Sequence, residues 1–142
     1  MKKFYIITLI VLVLDRITKI LVVNFLDNKV VDVIKNVFYL TYVKNEGAAF
    51  SILISQRLLL ILISILAIIF IYYYVRKHNK TNMGYSFLMG GIIGNLIDRV
   101  VFGFVIDFIG VMIGSYHFPI FNIADSFIVV GAILILFEKE KK

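Results

Sequence analysis

Two aspartates stand where a carboxylate is hard to accommodate. Asp107 lies in GFVIDFIG, among apolar residues and with no cation near it in sequence. Asp125 lies in FNIADSFIVVGAILILF, about one helical turn inside a run apolar enough to enter a bilayer. Ionisable groups in such surroundings usually face a protein interior or a wet cavity. The short segment between the two lets their side chains meet. Two carboxylates sharing a low-dielectric site cannot both ionise cheaply, so one pKa rises and the pair keeps a proton between them. The ionised member can then take a proton from water while the protonated one polarises a carbonyl. That chemistry hydrolyses a peptide bond without a metal, an organic cofactor or a covalent intermediate. Arg99 is the nearby cation that would orient the ionised partner or hold the site together. Asp125 has a second account. Asn122 and Asp125 are spaced as a helix N-cap and its N3 partner, a capping-box variant that also sets negative charge at the positive helix end. Spacing alone leaves both accounts open.

Composition identifies the solvent around these groups. The chain has 142 residues, 61% of them hydrophobic, with a single Pro and neither Cys nor Trp. A water-soluble domain of this length cannot hide that much apolar surface, so the expected surroundings are lipid. The net charge is +6, but no Lys/Arg patch is interleaved with aromatics in the manner of a nucleic-acid surface. Basic loops flanking membrane spans account for it better. Absence of Cys excludes disulfides, thiolate nucleophiles and Cys-type metal sites. With only His78 and His117, far apart in sequence, a His-based metal site is not expected either.

Apolar runs predict four transmembrane helices over roughly residues 4–24, 58–75, 83–101 and 119–137, in one membrane-embedded domain covering 1–142. The first run resembles a secretory signal, but no small-x-small cleavage site follows it. Little chain follows the fourth run, so no accessory domain is expected. Lys2 and Lys3, then Arg76, Lys77 and Lys80, then Lys139, Lys141 and Lys142 fall on one side. The positive-inside rule makes that side cytoplasmic, together with both termini. The Tyr run at 72–74 fits an interfacial belt on the same side. The loops at about 25–57 and 102–118 then face outward. VFYLTYVKNEGAAF, rich in β-branched and aromatic residues and with Gly47 two positions after Asn45, predicts a small antiparallel sheet with a turn. The predicted fold class is thus an all-α polytopic membrane protein with a small antiparallel β-sheet on the extracytoplasmic face. His117 is read as a loop residue.

In this topology Asp15, Arg16, Lys19, Asp98, Arg99, Asp107 and Asp125 all gather in the outer half of the membrane. A conduction pathway would distribute polar groups across the whole depth, so the pattern weighs against a channel. Asp15 and Lys19 stand at i,i+4 and suit a helical ion pair. Gly90-x-x-x-Gly94 suits close packing of two membrane helices. Asn95 and Arg99 share a face and suggest a polar network inside the bundle.

Five ordered motifs, DRITK (15–19), NEGAAF (45–50), GGIIGNLIDR (90–99), GFVIDFI (103–109) and FNIADS (121–126), span nearly the whole chain. In them the chain resembles lipoprotein signal peptidase (signal peptidase II), a family of bacterial inner-membrane aspartic proteases. The resemblance implies a catalytic dyad of Asp107 and Asp125. It also implies that Asp15, Asn45, Gly47, Asn95, Arg99 and Asn122 support the dyad or contact substrate. Asp98 belongs to the same motif but reads as structural, paired with a cation elsewhere in the bundle. The implied substrate is a prolipoprotein whose signal helix lies in the bilayer, cleaved just before a diacylglyceryl-modified Cys, with the outer sheet and loop cradling it. Membrane lipid is the implied surrounding partner, cyclic peptides such as globomycin the implied inhibitors, and a monomer the implied state. Two residues depart from the family pattern: Arg16 stands where Gln is usual, and Glu46 where Thr or another small polar residue is common. Two other readings compete with this one. The buried charges suit a non-enzymatic small membrane protein, and Ser126 or Ser51 with Lys19 would make a Ser-Lys peptidase, although no spacing supports that pairing.

Overall fold

The computed structural model describes residues 1–27, 29–47, 56–80 and 82–138. Helix α1 (Lys2–Phe25) leads into a hairpin of β1 (Val30–Ile34) and β2 (Phe38–Asn45). Helices α2 (Arg57–Lys77) and α3 (Met83–Val101) follow, then β3 (Val105–Ile113), β4 (Tyr116–His117) and α4 (Ile123–Leu136).

The buried residues of α1, Phe4, Val11, Asp15, Lys19 and Val22, recur at intervals of three, four and seven. They form a single stripe, and it carries Asp15 and Lys19 into the bundle instead of toward the outside. Helix α3 is central and packs on α1, α2 and α4. Its glycines make that possible. A Cβ on Gly90 would lie 2.7 Å from Val11 of α1, and one on Gly91 would lie 2.5 Å from the Ala124 carbonyl of α4. The close-packing account of this glycine pair therefore holds, with Gly91 serving a second helix. Helix α2 buries only Leu60, Ile71 and Val75 and leaves apolar side chains exposed around the rest of its surface. Among the described helices it alone is long and apolar enough to cross a membrane by length and composition, and α4 is a shorter apolar helix. Helices α1 and α3 carry charges within their length, which lowers their apolar signal.

Helix α2 covers the run 58–75, α3 has the bounds 83–101, and α1 extends past 4–24 at both ends. The fourth begins later than 119–137 suggests. Pro119 cannot supply a backbone donor, Phe121 is instead bridged to Ile109 in an antiparallel pair, and Asn122 caps the helix that starts at Ile123.

The fold class needs correction. The molecule is not all-α, because its sheet is a four-stranded antiparallel element, ordered β1-β2-β3-β4, that draws strands from the α1–α2 and α3–α4 segments. The sheet predicted within 25–57 is present as β1 and β2, joined through Asn36 at φ 61°. The run 102–118, however, is largely strand, and β3 pairs with β2 from Phe38↔Val111 to Asn45↔Val105. A two-stranded hairpin is only marginally stable alone; VIDFIGVMI, rich in β-branched residues, supplies the third strand. His117 pairs with Met112 in β4, so it is a strand residue and not a loop residue. Alternation along β3 sends Ile106 and Phe108 into an apolar cluster with Val22 of α1 and leaves Asp107 between them to point the other way.

Candidate active site

Asp107 is 2% exposed, and each of its oxygens has its own donor. Asn122 Nδ2 donates to Oδ1 at 2.7 Å and Asn45 Nδ2 donates to Oδ2 at 2.7 Å. Strand pairing supplies the second contact, because Asn45 ends β2 beside Val105 at the start of β3. Gly47 N donates to Asn45 Oδ1 at 3.0 Å, which commits the other end of that amide to Asp107. The Asn-x-Gly spacing thus does form a side-chain turn.

Asp125 occupies the first turn of α4. Asn95 Nδ2 of α3 donates to its Oδ1 at 2.8 Å, and the Asn122 backbone N–H donates to its Oδ2 at 3.2 Å. Asp125 N in turn donates to Asn122 Oδ1 at 2.9 Å, completing a capping box. The two accounts of FNIADS are therefore one geometry. Asn122 caps the helix with its oxygen while its nitrogen reaches the other carboxylate, so a single fully buried side chain touches both aspartates.

Burial pushes the Asp107 carboxyl up to about 7, and the negative charge of Asp125 adds to that rise; Asn45, Asn122 and the Lys19 charge oppose it. A carboxyl so placed keeps its proton near neutrality beside a second carboxyl, the condition for acid and base to coexist.

Of the remaining expected residues, Asp15 touches neither carboxylate. It is fully buried, and its Oδ1 accepts from the Ala124 backbone N–H at 3.2 Å, tying α1 to the start of α4. Its Oδ2 meets Lys19 Nζ at 3.0 Å, so the i,i+4 ion pair forms. Of the two roles expected of Arg99, orienting the ionised partner or holding the site together, its contact fits the second. Its NH2 donates to the Gly47 carbonyl at 3.3 Å, holding the turn that aims Asn45. Asp98 finds its cations on α1. Lys19 Nζ lies 2.8 Å from its Oδ2 and Arg16 NH1 lies 2.7 Å from its Oδ1, the latter an ion contact without an aligned hydrogen bond. Asp98 Oδ2 also accepts from the Ile106 backbone N–H at 3.1 Å, fixing the residue before Asp107.

Three contributors escape a reading of the sequence. Arg16 bridges Asp15 and Asp98 and donates to the Gly94 carbonyl at 3.2 Å, which gives this departure from the family pattern a structural place. Arg57 donates to the Arg99 and Val100 carbonyls at 2.7 and 2.8 Å, neutralising the C-terminal end of α3. Lys19 donates to Asn95 Oδ1 at 3.1 Å; its spacing from Asp15 signalled an ion pair, but nothing in sequence pointed across to α3. Ser126 Oγ is spent on the Asn122 carbonyl at 3.0 Å and Lys19 on its own partners, so no Ser-Lys pair forms there. Ser51 and Ala48, Ala49 and Phe50 of the NEGAAF motif lie outside the described residues.

Residues 7–139 match the family model described as Signal peptidase (SPase) II. A lipoprotein signal peptidase of Halothermothrix orenii (strain H 168 / OCM 544 / DSM 9562) is 44% identical over 144 residues, covering 96% of this chain and 97% of the relative. Two solved structures, each described as a bacterial membrane enzyme structure by the in meso method, superpose along the whole chain. The one at 2.3 Å has TM-score 0.88, 34% identity and coverage of 100% of this chain and 94% of its own. The one at 1.9 Å has TM-score 0.87, 34% identity and coverage of 100% and 95%.

Proposed function

The chain belongs to the signal peptidase II family, and on that premise we propose that Asp107 and Asp125 are the catalytic dyad with which it removes signal peptides from prolipoproteins. The observation that carries the assignment is Asn122, one buried residue whose side-chain NH2 donates to the Asp107 carboxylate and whose backbone N–H donates to the Asp125 carboxylate. Near neutral pH Asp107 holds the shared proton and Asp125 is the base, although a coupled pair titrates as a unit. Asp125 takes a proton from a water whose oxygen attacks the scissile carbonyl carbon, while Asp107 gives its proton to the carbonyl oxygen. Collapse of the resulting diol breaks the C–N bond. The leaving amine takes the proton held on Asp125, and a diol hydroxyl returns one to Asp107. Asn45, Asn95 and Asn122 hold the carboxylates; Asp15, Gly47 and Arg99 hold the backbone that presents them.

The scissile bond precedes a diacylglyceryl-modified Cys, and the signal helix lies in the bilayer beside the four helices. Residues 1–142 form one membrane-embedded unit in the bacterial cytoplasmic membrane, with both termini cytoplasmic, the dyad at the extracytoplasmic face, and the sheet cradling the substrate. Support comes from the exposed apolar surface of α2, where Leu66 is 66% and Phe70 68% exposed, and from the collection of the intramembrane charges at the sheet end of the bundle. The enzyme acts as a monomer, and cyclic peptides such as globomycin compete at the dyad.

The test pairs a lipid-modified precursor with one whose Cys is replaced by Ser and so escapes lipidation. The parent cleaves the first and spares the second, and globomycin blocks the reaction. Equal cleavage of both precursors overturns the substrate assignment.

A further inference from the structure

We propose that Lys19 is a positioning residue of the dyad, setting which way the amide of Asn95 points so that its NH2 group faces the Asp125 carboxylate. The inference rests on the reading of Asp107 and Asp125 as the catalytic pair.

An ammonium donates three hydrogen bonds and accepts none. Lys19 donates to Asn95 Oδ1 at 3.1 Å and stands in ion-pair contact with Asp15 Oδ2 at 3.0 Å and Asp98 Oδ2 at 2.8 Å. Because Lys19 can only donate, Asn95 must present its oxygen, which leaves Nδ2 for Asp125 Oδ1 at 2.8 Å. The same Asn95 oxygen accepts from Asn122 Nδ2 at 3.1 Å. Asn122 is set by a second donor-only group, the Asp125 backbone N–H, from which its oxygen accepts at 2.9 Å, leaving its nitrogen for Asp107 Oδ1 at 2.7 Å. The Asn95 oxygen is thus held by two donors, the Lys19 ammonium and the Asn122 NH2. Without it, Asn95 Oδ1 keeps a single donor. A reversed amide, its oxygen accepting from a protonated carboxyl, then becomes available, and that arrangement suits a dyad holding too many protons.

Ion-pair stability does not account for this placement. Lys19 is 1% exposed, and buried ion pairs are commonly no more stable than apolar residues of the same shape. Arg16 already supplies a cation to both Asp15 and Asp98. The contact with Asn95 is what Lys19 adds, and an apolar side chain cannot reproduce it. The charges around the network are Asp15 and Arg16 from α1, Asp98 and Arg99 from α3, Asp107 from β3 and Asp125 from α4. Among them the Lys19 charge favours ionised Asp107, so losing it raises that carboxyl further.

The full chain in lipid, given lipid-modified precursor, tests this through kcat, KM and the pH profile of Lys19→Met, of Lys19→Met with Asp98→Asn, and of Asp107→Asn. The double variant removes one charge of each sign and so leaves no unpaired ion. Lys19→Met is expected to keep KM, lose kcat by about tenfold or more, and shift its pH profile upward by about one unit. The double variant keeps the kcat loss with a smaller pH displacement, because the two charge changes offset each other. A double variant with parental kcat, alongside an inactive Asp107→Asn, overturns the role of Lys19 and leaves the dyad standing. Cleavage by Asp107→Asn overturns the dyad itself. Absence of both Lys19 variants from the membrane assigns Lys19 to folding and overturns the proposal.

Discussion

In Asn122 a structural cap and the support of the proposed dyad are one residue. Its oxygen closes the capping box of α4 while its nitrogen reaches Asp107, so the helix start and the dyad are set by the same side chain. The sequence displayed the cap spacing openly, but not the reach to Asp107, because that contact crosses 15 residues of chain and depends on a strand where a loop was expected. Asp107 carries the consequence for pH. Its folded pKa, about 7, lies above the model-peptide value. Between those values the folded state binds more protons than the unfolded chain, so this group's contribution to stability is greatest in acid and is lost as pH rises through about 7. Asp107→Asn does not titrate. Its melting temperature, followed from about pH 5 to about pH 8 in detergent, should fall less than the parent's; an identical pH dependence contradicts a buried, protonated Asp107.

At the scale of elements, the glycines of α3 decide how near the ion cluster comes to the site. A Cβ on Gly94 would lie 2.6 Å from Asp15 Oδ2 and 3.4 Å from the Ala124 Cβ. Gly94→Ala should therefore push Asp15 away from Lys19 and from the Ala124 N–H. Overpacking of this kind costs about 1–3 kcal/mol, to be read as a lowered melting temperature together with reduced cleavage. Unchanged values in both would show that α1 and α3 can separate without consequence. The helices were legible because their apolar runs are long and bounded by charge or cap residues. Strand β3 was not. VIDFIGVMI is short and apolar, its period is blurred because both of its faces are covered, and its pairing partner lies 60 or more residues earlier. The network linking α1 to Asn95 was equally hidden, since a register between two helices leaves no local trace in either.

At the scale of the molecule, two carboxylates can sit side by side because five elements share the work. Helix α1 supplies the ammonium, α3 supplies Asn95, β2 and β3 bring Asn45 to Asp107, and α4 presents Asp125 at its first turn. The proposed orientation rests on the distribution of basic residues and can be read directly, because the sequence has no Cys to confuse labelling. Lys35→Cys, in the β1–β2 turn, should react with a membrane-impermeant maleimide in intact cells. His78→Cys, after α2, should react only once the membrane is opened. The reverse pattern contradicts the topology. The dyad itself is tested most directly by the initial rate of precursor cleavage for Asp107→Asn and Asp125→Asn, each purified and matched to the parent in amount and folded fraction. Each variant should fall by roughly a thousandfold or more, since either loss removes the acid or the base from a unit that acts together. Retention of parental rate by either variant would contradict the account.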